Sequence, residues 1–135
     1  MSFDVYLQAF HEGAAGGIPR HRVREAFGAY AQEAQPNYWR LRYDEINSCD
    51  IDLSGDPATV ESLAVHRPCA DARLWDSLAS ILALGNVVLY FPGCRAPMIA
   101  CSEVVPHLPA DMIEAMGRPI VVTTGADVLN EVRAV

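Results

Sequence analysis

From Leu74 to Phe91 the chain concentrates its apolar side chains, and the spacing of those side chains changes partway along. Leu74, Trp75, Leu78, Ile81 and Leu82 recur every three or four residues, as on one face of a helix, and Val87 to Phe91 is an unbroken β-branched and aromatic run. A helix therefore passes to a strand here, with Gly85 free to take a left-handed conformation at the helix end and Asn86 opening the turn. Because no polar residue alternates through the strand, both of its faces should be covered, which places it inside a sheet. Burying one such side chain is worth roughly 1.5–3 kcal/mol, so a polar substitution at Ile81 or Leu89 should be among the most damaging in the chain.

The other segments must assemble around that helix and strand. Phe3 to Phe10 alternates apolar and polar residues as a first strand with one apolar face. A glycine-rich stretch follows, and Pro19 opens a helix expected over 20–33, with Val23, Ala26, Phe27 and Tyr30 facing inward. Pro36 and Asn37 end it before three strands near 38–43, 48–53 and 60–67. Matching the apolar faces of the first two sets Trp39 against Leu53 and Leu41 against Ile51, which in turn sets Arg40 opposite Asp52 and Arg42 opposite Asp50. Asp71 is placed to cap the central helix, expected over 71–84. Beyond Phe91, a proline-bounded loop leads to 98–101 and a hairpin, then a short helix from Pro109 to Met116, a strand at 120–123, and a terminal helix opened by Thr124 with Asp127.

These elements predict a single α+β domain over 1–135, with a largely antiparallel, mixed sheet of about six or seven strands. The two main helices should pack on one face, in a split β-α-β-like organisation. With 135 residues, of which 51% are hydrophobic and 20% charged, the chain is long enough to bury a core without disulfides or metal. The N-terminus lacks the positive start and apolar block of a signal peptide, and no apolar run approaches membrane-spanning length, so a cytoplasmic location is expected. All ten basic residues are Arg and none is Lys, the codon signature of a GC-rich bacterial genome. A formal net charge of -7 argues against nucleic acid and anionic membranes as partners and favours a basic protein, or no partner selected by charge.

No nucleotide-binding glycine loop, zinc-protease helix, nucleophile elbow or Cys-x-x-Cys is present, so no cofactor or metal is expected. Three groups remain as candidate sites. His66 and Cys69, with His11, occupy connections that leave a strand and enter a helix, and would share one sheet edge if their strands ran parallel; a His beside a thiol can activate it as a nucleophile. Arg95, at a hairpin tip, has the fork that grips a carboxylate or phosphate. From Asp44 to Glu61 the chain is acidic without a basic residue, and Asp44, Glu45, Asp56 and Glu61 are the carboxylates left over once Asp50 and Asp52 pair with Arg. The reading that fits these features best is an antidote-like or immunity-like interaction module for a basic partner. The alternative is a small enzyme with a Cys nucleophile and a His base, and a chain that only associates with itself should form a stable homodimer.

Overall fold

Val5, Leu7 and Ala9 alternate with Tyr6 and Gln8 in β1 (Val5–His11), so this strand has one apolar and one polar face. The computed structural model describes residues 3–135. Two short strands, β2 (Ala14–Ala15) and β3 (Ile18–Pro19), precede α1 (Arg20–Phe27), and a 3-10 turn leads to β4 (Ala31–Gln35). Then come β5 (Tyr38–Arg42), β6 (Ser48–Gly55), β7 (Thr59–His66), α2 (Ala72–Leu82) and β8 (Val87–Tyr90). The chain closes with β9 (Met98–Ile99), a 3-10 segment (Ser102–His107), α3 (Ala110–Met116), β10 (Ile120–Val121) and α4 (Gly125–Arg133).

All ten strands join one sheet, in the order β10-β9-β8-β1-β7-β6-β5-β4, with β2 attached to β1 and β3 to β7. The α+β, largely antiparallel architecture expected from the sequence is present, with more strands than periodicity reveals because β2, β3, β9 and β10 have two residues each. Among the described residues only β9 and β10 pair in parallel. β7 and β8 are both antiparallel to β1, so β7-α2-β8 is a β-α-β unit split by the strand between its halves.

α2 touches both α1 and α4, and Phe27 and Trp75 belong to one core, so these helices cover the same face of the sheet. Leu74, Trp75, Leu78 and Ile81 of α2 are each fully buried against the inward side chains of β1, β7 and β8. Asp71 caps α2 by accepting from the Arg73 N–H at 2.9 Å, and Thr124 and Asp127 form the reciprocal capping box that starts α4. A second, smaller core of Phe10, Val88, Ile99, Val104 and Leu108 lies on the opposite face, beneath the 3-10 segment and α3. That cover reaches only the β8–β9 end, and the same face of β7, β6 and β5 is left uncovered.

Three local expectations are corrected. The helix expected over 20–33 stops at Phe27, where Gly28 adopts φ 61, and Ala31–Gln35 becomes an edge strand hydrogen-bonded to β5. Gly85 does not take a positive φ; α2 instead ends at Ala83, whose N–H bonds back to Ser80 and Ile81 carbonyls. In the β5–β6 hairpin each apolar face is as expected, but Trp39 lies opposite Ile51, Leu41 opposite Cys49 and Arg40 opposite Asp50. The cause is the turn. The Asp44 carboxylate accepts from the Ile46 and Asn47 N–H groups at 2.9 and 2.7 Å, and Tyr43 N–H bonds Asn47 C=O, so the reversal is tighter and the ladder moves by two positions.

Candidate functional site

The uncovered face is polar because strand residues alternate: the chain neighbours of buried Ile51, Leu53, Leu63 and Val65 point the other way. Across β1, β7 and β6 the outward side chains at the centre are small, Ser62 and Ala64, and those at the sides are larger. A trough of about 280 Å³ results, with Tyr6 and Tyr90 along one wall and Asp52 and Ser54 along the other. The register that puts Tyr6 opposite Tyr90 stacks their rings at 5.5 Å and 28°. Tyr90 Oη donates to Gln8 Oε1 at 3.3 Å, and burial, followed by its neighbour Tyr6, raises the Tyr90 phenol above its ordinary pKa. Beyond this tyrosine pair, Phe91, Pro92, Ala115 and Met116 line an adjoining apolar groove.

At the other end of the trough His66 lies between two carboxylates. Its Nδ1 is 3.1 Å from Asp4 Oδ2 and its Nε2 is 2.5 Å from Asp52 Oδ2. Arg67, at φ 47, turns the chain so that its N–H reaches Asp4 Oδ1 at 3.3 Å. The hydrogen bond to Asp52 raises the His66 pKa most; partial burial opposes it, and Asp4 adds to the rise. With a carboxylate against each ring nitrogen, the protonated form is favoured over that of a free imidazole, and in that form the ring donates both N–H groups and has no lone pair to offer. The cluster occupies both ring nitrogens and leaves the Asp52 carboxylate, 55% exposed, as an acceptor facing solvent. Beside it Arg40 Nε donates to Asp50 Oδ1 at 3.2 Å.

The structure does not gather the residues singled out from the sequence. Because β1 and β7 are antiparallel, His11 lies at the opposite sheet edge from His66, its ring stacked on His107 at 5.4 Å, while His107 Nδ1 accepts from the Glu12 N–H at 3.1 Å. Cys69 turns toward the helical core, whereas both ring nitrogens of His66 face carboxylates on the other side, so the two are not a base and its nucleophile. Asp44 and Asp56 each accept backbone N–H groups of their own turns, and hydrogen bonding holds both below the ordinary carboxylate pKa. Those turns are at opposite ends of β6; Glu45 accompanies the first, and Glu61 is exposed on β7. Arg95 donates through Nη2 to both Glu131 oxygens at 3.0 Å. Among the described residues no group of three or more His, Cys, Asp or Glu is arranged to hold a metal ion, and no helix is long and apolar enough to cross a membrane.

Tyr6, Tyr90 and Asp4 escaped the reading from sequence. Tyr6 and Gln8 marked the polar face of β1, but only the β1–β8 register reveals that this face carries a second tyrosine. Compared with protein families, curated proteins and solved structures, the chain matches none.

Proposed function

We propose that the chain is a binding module that receives a basic protein partner on the uncovered sheet face, in the manner of an antidote that occupies its target. The observation that carries this reading is the trough between the stacked Tyr6 and Tyr90 and the half-exposed Asp52. Paired tyrosines offer large, rigid contact area with a polar tip, the chemistry found at the centre of protein interfaces. The two cations nearest the trough are already engaged, His66 by Asp4 and Asp52 and Arg40 by Asp50, so an incoming Arg or Lys meets carboxylate oxygens with their spare lone pairs. The net charge of -7 speeds encounter with such a partner at low salt.

The test is co-purification from the native cell extract using three chains: the natural one, a Tyr6→Ala/Asp52→Arg variant of the trough, and a Glu114→Arg variant on α3 as a charge-change control. A basic protein retained by the natural and control chains, released by raised salt and lost by the trough variant supports the reading. Retention equal in all three, or no retained protein at low salt, refutes it.

A further inference from the structure

Cys49 and Cys69 form a pair of nucleophilic side chains that the open face does not use. Cys49 is the second residue of β6; it points to the helical side and is buried. His66 lies opposite Asp50 in the β6–β7 ladder, so the chain leaving β7 passes the start of β6 at once. The connection is then fixed against α2, because the Trp75 indole N–H donates to the Cys69 carbonyl at 3.0 Å. This brings the Cys69 backbone N–H and thiol against the Cys49 sulfur, at the margin of the main core. Both thiols are free, Cys69 is half-buried, and Tyr43 packs into the same core. Burial first, then the neighbouring Cys69, pushes the Cys49 thiol up to about 12.

We propose that Cys49 and Cys69 are an oxidisable pair that closes to an intramolecular disulfide on reaction with a low-molecular-weight disulfide. The order follows from access. Cys69 loses its proton to solvent and attacks one sulfur of the reagent; the reagent S–S bond breaks, a Cys69 mixed disulfide forms, and the departing thiolate takes up a proton. Cys49, protected from solvent and a poor first nucleophile, then gives up its proton as its sulfur attacks the Cys69 sulfur and expels the second thiol. Two protein thiols are oxidised by two electrons and one reagent disulfide is reduced to two thiols. The bridge ties the β7–α2 connection to β6, next to Arg67 and the His66 cluster.

The probe is oxidised glutathione. In a Cys94→Ser/Cys101→Ser chain, which removes the two other thiols, the expected product is lighter by two hydrogens and carries no glutathione. Adding Cys49→Ala should instead trap glutathione on Cys69. A non-reducing peptide map of the natural chain supplies a second measurement that needs no substitution, and should contain the 49–69 cross-linked peptides. A stable glutathione adduct on Cys69 while Cys49 is present, or both thiols still free in the map after prolonged exposure, overturns the proposal.

Discussion

At the scale of single residues, the described side chain with most hydrogen bonds to distant segments is Arg20, buried although charged. Its Nε and Nη2 donate to Asp56 C=O at 3.0 and 2.8 Å, Nη1 to Pro36 C=O at 2.8 Å, and Nη2 also to Asn37 Oδ1 at 3.0 Å. One guanidinium thus joins the start of α1 to the β4–β5 and β6–β7 turns. Arg20→Met keeps the stem but strands two carbonyls, and should lower stability by about 2–4 kcal/mol in urea denaturation. His66 sets a pH dependence. Its folded pKa is raised above 6.5, so the stabilisation from its carboxylates is complete below that unfolded value and fades as pH rises through the folded one. The melting temperature lost in His66→Gln should be larger below pH 6.5 than at about pH 9; an equal loss at both would mean that the ring acts by shape alone.

At the scale of elements, what the sequence reveals depends on whether a residue's partners are local. The apolar spacing of α2, the Asp71 cap and the Thr124–Asp127 box are all settled within a few residues, and each is where the pattern puts it. β4 is different, because Ala31, Gln32, Glu33 and Ala34 are good helix formers that become strand only through hydrogen bonds to β5. Parity in the β5–β6 hairpin fixes which face each residue takes but not the rung, and the Asp44 turn decides the rung. The trough was hidden for the same reason: its two walls come from strands far apart in sequence. Contact between helices is equally invisible along the chain. A Cβ on Gly125, the first residue of α4, would stand 2.6 Å from the Trp75 carbonyl carbon and closer still to the Asp76 backbone N. Gly125→Ala must therefore push α4 away from α2, at a cost of about 1–3 kcal/mol measurable as a lower denaturation midpoint.

At the scale of the whole molecule, the two faces of the sheet are unequally dressed: three helices cover one, and α3 with the 3-10 segment covers only an end of the other. That inequality leaves the tyrosine trough open, with β1 inside the sheet between β7 and β8. β1 precedes both of its main neighbours in the chain, which lie at residues 59–66 and 87–90. A growing chain therefore carries the apolar side of β1 without a mate until β7 has emerged, and without the second until α2 and β8 have followed. Local hairpins from β4 to β7 can close early, but the centre of the sheet waits on long loop closures, which slow folding and prolong the exposure of sticky strand surface. The strand order of the finished sheet thus leaves β1 of the unfinished chain exposed over a long stretch of synthesis, a period in which unpaired strand surface is prone to aggregate.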